Sequence, residues 1–226
     1  MNPRHCISPR KSVPPVTLSR TDRLMAAVSV VLIAAACGSE SSDSAAPAET
    51  QVDTASAPAD LEWRTVGGVS VPSSPTAGPS TGTGVTRHGY DKSPQGAVLA
   101  AINGQTALAV ADDRTWPEVV NTVTAPGPGR DAFAVARAAV TVAGTVPKES
   151  APRFVGFDVT AYEPDAATAA VSVAQTVGED SQLYSYPVAL QWVGGDWRIV
   201  LPTSEENIDA AELDDLAGYT ELKAAS

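Results

Sequence analysis

The sequence predicts an α+β domain, with helices packed on one face of a curved antiparallel sheet of four strands that follow one another as a meander. Three observations carry this. Helical signals cluster between residues 93 and 143, alternating apolar runs cluster between 153 and 202, and the last two runs are separated only by Gly194-Gly195. Helices first and strands afterwards favour segregated layers over a parallel sheet with crossovers. A Gly-Gly pair between apolar runs marks a two-residue hairpin in a primed turn, because both central residues must take positive φ. That turn fixes the register of 183–202. Val193 faces Asp196, Trp192 faces Trp197, Leu190 faces Ile199 and Val188 faces Leu201. Opposed residues share a face, so all these large apolar residues except Val193 fall together, and Gln191/Arg198 and Ala189/Val200 take the other side. Pro187 opposite Pro202 offers no N–H donor, so the ladder should stop there.

The earlier elements follow from local signals. Residues 61–92 carry Trp63, Val66, Val69 and Val71 among Gly67-Gly68, Pro72, Pro75 and Pro79, which reads as an extended lead-in with a loop over 72–88. Ser93-Pro94 is a cap followed by a first-turn proline, and Ala97, Val98, Ala101, Ile102, Leu108 and Ala109 recur at helical spacing. Asn103-Gly104 either divides this helix or is tolerated within it. Thr115-Trp116-Pro117-Glu118 has capping-box spacing, and Ala125-Pro-Gly-Pro-Gly-Arg130 is a sharp loop. Asp131 is the expected cap of a helix running to about Ala143. In 153–162, Val155, Phe157, Val159 and Ala161 alternate with Phe154, Asp158, Thr160 and Tyr162. In 168–177, Ala169, Val171 and Val173 oppose Ala170, Ser172 and Ala174. Ser204 caps an expected peripheral, acidic helix through Leu216, within a C-terminal tail of 204–226.

The N-terminal segment reads as an address. Residues 1–23 are polar and basic, and 24–36 form an apolar run broken only by Ser29, too short to span a bilayer comfortably but suited to a signal peptide. The run ends Ile33-Ala34-Ala35-Ala36-Cys37-Gly38-Ser39, which resembles a bacterial lipobox, with Ala34 where that pattern prefers Leu. The resemblance implies a signal peptide of 1–36 and lipidation of Cys37. Ordinary cleavage after Ala34-x-Ala36, or a retained helix, are the alternatives. Cys6 leaves with the signal, so Cys37 has no disulfide partner. Several acyl chains would anchor it stably. Residues 37–60 are rich in Ser, Ala, Pro and acid, a composition that cannot build a core and reads as a tether reaching about 25 Å.

Charge narrows the function. The formal net charge is −11, but five basic residues and one acid precede Cys37, so the remainder carries 10 basic and 25 acidic residues, net −15. Such a protein is repelled by phosphate backbones, which argues against nucleic acid as a partner.

Four stretches resemble an uncharacterised family of actinobacterial extracytoplasmic proteins. They are Gly-Tyr-Asp-Lys-Ser-Pro-Gln-Gly-Ala-Val-Leu-Ala-Ala (89–101), Ala-Pro-Gly-Pro-Gly-Arg (125–130), Gly-Phe-x-Val-x-x-Tyr (156–162) and Gly-Gly-Asp-Trp-Arg-Ile-Val-Leu-Pro (194–202). The helix-then-strand order and the terminal Trp hairpin are similar to the cone-shaped nuclear-transport-factor-2-like fold. The resemblance covers about 61–203 and implies a link to integrative or conjugative elements, whose transfer machines use related domains as envelope assembly parts. It carries over no catalytic residues.

The candidate sites are few. Trp192, Trp197, Tyr184 and Tyr186, with Phe157 from the preceding strands, form either core or the lining of an apolar pocket. Asp158 with Tyr162, Glu163 and Asp165 has the residue types of an isomerase general base and enolate stabiliser, but also those of an exposed strand end. His88 alone, with no free Cys, makes no metal site. The Pro-Gly-Pro-Gly-Arg130 loop lacks nucleotide-loop glycine spacing, and the acids of 205–215 lack calcium-ligand spacing. No cofactor is expected. The sequence thus points to a lipid-anchored, non-enzymatic interaction domain of 93–203 on the extracytoplasmic face of the cell membrane, with envelope or conjugation proteins as partners. A ligand-binding module or isomerase using the interior of the cone is the alternative.

Overall fold

Burial of a single helix on all sides organises the domain. In the computed structural model, which describes residues 52–142, 144–178, 181–206 and 208–223, helix α1 (Pro94–Val110) places residues on every side in the interior. A helix this apolar all round needs neighbours all round. They are a two-stranded hairpin, β1 (Glu62–Val66) and β2 (Val69–Ser73), helix α2 (Trp116–Val123), and a large sheet. Asn103-Gly104 does not divide α1. A Cβ at Gly104 would lie 2.7 Å from Ile199 Cδ1, so the glycine lets helix and sheet approach closely. Ser93 caps α1 by accepting from the Gly96 N–H at 3.1 Å, as its position predicts.

The large sheet contains β3 (Arg153–Glu163), β4 (Thr168–Val177), β5 (Gln182–Val193), β6 (Asp196–Val200), β7 (Ala211–Glu212) and β8 (Thr220–Glu221). Its order is β6-β5-β4-β3-β8, with β7 also on β5, and every ladder is antiparallel. The class is therefore α+β, and the sheet has six strands rather than the expected four. The β5–β6 register is the one the turn specifies, from Val193↔Asp196 to Ala189↔Val200. Gly194 and Gly195 take φ of 65° and 83°. The ladder ends one pair before Val188 and Leu201, short of the two prolines.

Several local expectations need correction. Residues 62–73 are extended, as expected, but pair as a hairpin that turns at Gly67-Gly68 with φ of 55° and 89°, which the single lead-in segment did not anticipate. In β3 the register shifts between Phe154 and Gly156 and between Val159 and Ala161. An extra residue at each bulge reverses the alternation, so Phe154, Phe157, Val159 and Tyr162 all join the core cluster. Thr115 does not cap α2. Its N–H and hydroxyl, with the Arg114 N–H, instead donate to Asp112 Oδ1 in the turn before the helix, and no side chain caps α2. Helix α3 (Pro128–Ala138) starts inside the expected loop and ends before Ala143, so Asp131 lies in its first turn and is not its cap.

The expected acidic helix over 204–216 is absent. That segment holds turns and β7, and the chain continues extended through β8. A helix there would carry only Leu213 and Leu216 as large apolar residues after Ile208, too little to bury. As extended chain, Leu222 is buried and Tyr219 donates to Ser185 Oγ at 2.7 Å. Residues 52–60, part of the expected tether, run along the domain instead. The Ala59 carbonyl accepts from Ser74 Oγ at 2.6 Å and the Ala55 carbonyl from Thr220 Oγ1 at 2.6 Å.

The chain divides into two units, Met1–Ala48 and Glu49–Ser226, and the first lies outside the described residues, as do the expected signal peptide and Cys37. No helix among the described residues is long and apolar enough to cross a membrane.

Two expectations follow. A Cβ at Gly129 would collide with the Leu201 carbonyl, which is backbone and cannot swing away. Gly129→Ala should cost about 1–3 kcal/mol, as overpacking does, measured by urea unfolding followed by tryptophan fluorescence. Acid should also loosen the turn that leads into α2 and its tie to the end of α3. Hydrogen bonds from Thr115 and Arg114 hold the Asp112 carboxyl below its usual range, and the Val142 N–H and Arg137 do the same for Asp113. Both groups are lower in the folded state, so their stabilisation is present above the unfolded value of about 4 and disappears as pH falls below it. Stability measured against pH should be flat from 7 to 5 and decline below about 4; Asp112→Asn should flatten that decline.

Candidate functional site

The four motif stretches meet in space, and Asp196 is where two of them join. The primed turn sends the chain into β6, and the Asp196 side chain, 7% exposed, turns onto the loop before α1. Its Oδ2 accepts from the Gly89 N–H at 2.8 Å, and its Oδ1 accepts from the N–H groups of Tyr90 and Trp197, each at 2.9 Å. A buried carboxylate needs such partners, and three amide donors satisfy it. The next residues repeat the pattern. Trp197 Nε1 donates to the Asp91 carbonyl at 3.0 Å, and the Tyr162 hydroxyl donates to the Lys92 carbonyl at 3.0 Å. Thus 89–93 is fastened by β6 and β3. Burial pushes the Tyr90 hydroxyl far above its ordinary range, with the Asp196 charge adding to it. Burial, then Asp91, raises Tyr162 as well. Gly129, from the second motif stretch, packs against the Leu201 and Pro202 carbonyls of the fourth.

The aromatic candidates separate into two groups. Trp192 and Trp197 meet edge to face at 5.4 Å, and Tyr162 lies 5.9 Å from Trp197. Tyr184 and Tyr186 form a second pair at 6.4 Å. Trp192 lies six steps along β5 from Tyr186, about 20 Å of strand, and Val188 and Leu190 are buried between them. Trp197 and Phe157 are 2% and 1% exposed, within the core that α1 fills. The strand does not bring these five side chains around one space.

The other candidates are also dispersed. Asp158 pairs with Ser172 and Tyr162 with Ala169, on opposite faces of the sheet, because of the second bulge in β3. A base and an enolate stabiliser must converge, and these two do not. His88 Nδ1 lies 2.9 Å from the Thr86 carbonyl. It borders an open groove of about 580 Å³ with Glu118, Asn121, Gly194 and Arg198. The Pro-Gly-Pro-Gly-Arg130 stretch borders a second groove of about 440 Å³ with Glu205 and Glu206, and two carboxylates are poor company for an anion. Among the described residues no group of three or more His, Cys, Asp or Glu side chains is placed to hold a metal. Sequence reasoning missed the buried role of Asp196. The one available signal was an acid directly after a tight hairpin turn, a position that also suits solvent.

The fold and the motif junction define an α+β domain whose distinctive residues join its own segments. The chain belongs to a family described as a domain of unknown function, DUF8175, which matches it over residues 31–221. No curated protein and no solved structure matches it.

Asp196→Ala should cost about 3–5 kcal/mol, since it leaves buried amides without an acceptor. Asp196→Asn should cost less, because the amide keeps one oxygen. Chemical denaturation of both variants checks the order.

Proposed function

We propose that this is an extracytoplasmic lipoprotein, anchored in the cell membrane through acylated Cys37, whose domain serves as a non-enzymatic interaction part of an envelope assembly such as a conjugation or secretion apparatus. The observation that carries the reading is the Ile33–Ser39 lipobox pattern at the end of the apolar run. The family match begins at residue 31, inside that run, and so takes in Cys37. The use of motif side chains to fasten one segment to another supports an assembly part over a catalyst: Asp196, Trp197 and Tyr162 all spend their polar groups on backbone. The order of helices before an antiparallel sheet closed by a Trp hairpin supports a cone-shaped, nuclear-transport-factor-2-like arrangement, and the likeness to actinobacterial proteins of conjugative elements rests on the four motif stretches.

Metabolic labelling with an alkyne fatty acid tests the anchor. The native chain should take up label and sediment with membranes. Cys37→Ala should take up none and keep its signal peptide. Label and sedimentation unchanged by the substitution would refute the anchor. Cross-linking in the native envelope tests the assembly role, and recovery of the protein always alone would remove it.

A further inference from the structure

The solvent side of the Asp196 junction is a groove of about 580 Å³ between the β5–β6 turn and α2, a size that suits a small molecule. Its two walls carry opposite charges. On the hairpin side stands Arg198, whose Nη1 donates to the Asn121 carbonyl at 3.2 Å. A Cβ at Gly194 would lie 3.7 Å from Arg198 Nη2, and one at Gly195 would meet nothing within 4 Å. The bare turn therefore leaves that guanidinium open to the groove. Arg130 reaches the same asparagine from α3 and donates to its Oδ1, so the Asn121 amide hydrogens remain as donors. Two guanidiniums thus sit on one residue, and neither forms an ion pair among the described residues. On the helix side stands Glu118, which is exposed. Glu118, Asn121 and Thr122 lie at i, i+3 and i+4 of α2, one face of the helix, and all three border the groove.

Because Arg198 is held at the Asn121 carbonyl, it does not pair with Glu118, one turn of α2 away. Opposite charges that border one groove without meeting call for a ligand that carries both signs. We propose that this groove binds a free α-amino acid, with its carboxylate on Arg198 and the Asn121 amide and its ammonium group on Glu118. The dimensions agree. The ammonium nitrogen and carboxylate oxygens of an α-amino acid lie about 3 Å apart. A hydrogen bond of about 2.9 Å at each end extends the reach to about 9 Å. The two walls need such a reach, since three residues of α2 rise about 4.5 Å between Glu118 and Asn121. A plain anion would face the Glu118 carboxylate, and a plain cation would face the Arg198 guanidinium, so a ligand of one sign is repelled by one wall. Asp196 also borders the groove, but its carboxylate is already taken by three amides, and binding need not disturb the junction. The site goes beyond the assembly role and does not depend on the anchor at Cys37.

Equilibrium dialysis of the full chain against a radiolabelled hydrolysate of mixed amino acids tests the site. Label should be retained saturably and displaced by the unlabelled mixture, but not by the same mixture after N-acetylation or conversion to amides. Glu118→Gln should weaken retention about tenfold or more, as expected for one charge-assisted hydrogen bond. Arg198→Gln should do the same, and Arg198→Lys should restore part of it. No retention by the native chain overturns the proposal. Equal displacement by the acetylated mixture marks a plain anion site, equal displacement by the amides marks a plain cation site, and either result overturns it. Retention that Glu118→Gln leaves unchanged puts the label elsewhere and overturns it too. Glu118 is exposed and forms no ion pair among the described residues, so its variant decides the question if Arg198→Gln loses native tryptophan fluorescence.

Discussion

The arrangement of this domain depends on one buried carboxylate. Asp196 is removed from water at the tip of the last hairpin, a placement that costs several kcal/mol unless hydrogen bonds replace the lost hydration. Three backbone amides do so, two of them from Gly89 and Tyr90, more than a hundred residues earlier in the chain. Because the acceptor is charged and the donors are main chain, the contact fixes backbone position more tightly than apolar packing would. It also sets where α1 begins, since Ser93 and Pro94 follow only a few residues later. Trp197 and Tyr162 then hold the intervening carbonyls, so the helix enters the core in one register relative to the sheet. Burial of the apolar core, Val98, Leu99 and Ile102 within it, is the main driving force, and the carboxylate selects which packing that burial produces.

How much of this was legible depends on the range of each signal. The β5–β6 register was readable because a primed turn and a period-two pattern are both local and agree. The same chemistry at Gly67-Gly68 was masked by Pro72, which argues against a central strand but not against the small separate hairpin that forms. The bulges in β3 were not readable. They answer to the neighbours of Phe154 and Tyr162, and a strict alternation of the sequence hides them. The C-terminal acids satisfied helix-start statistics, yet Leu222 and Tyr219 gain more by lying along the sheet than a solvated helix would gain by its own hydrogen bonds.

The candidate site shows a different limit. The residues in the four motif stretches, Gly, Asp, Trp, Arg and Tyr, are the types that both active sites and structural junctions use. Only their mutual placement separates the two. Asp158 and Tyr162, four residues apart, have the right chemistry for an isomerase but end on opposite faces. Asp196 and Gly89, far apart in sequence, are 2.8 Å apart in space. No spacing rule in a single chain anticipates either outcome.

Composition misleads in one more place, and that has a geometric consequence. A run of Ala, Ser and Pro lacks the apolar surface to order itself, and by that measure the tether extends to residue 60. The entropy of ordering is instead offset from outside, by hydroxyl and amide donors on three elements that bond to carbonyls every sequence possesses. The domain therefore begins at about Asp53. With an anchor at Cys37, the intervening chain spans at most about 55 Å fully extended, against about 80 Å had the tether run to residue 60. The ordered segment therefore takes about a third off the longest reach that composition alone would assign to the chain between Cys37 and the domain.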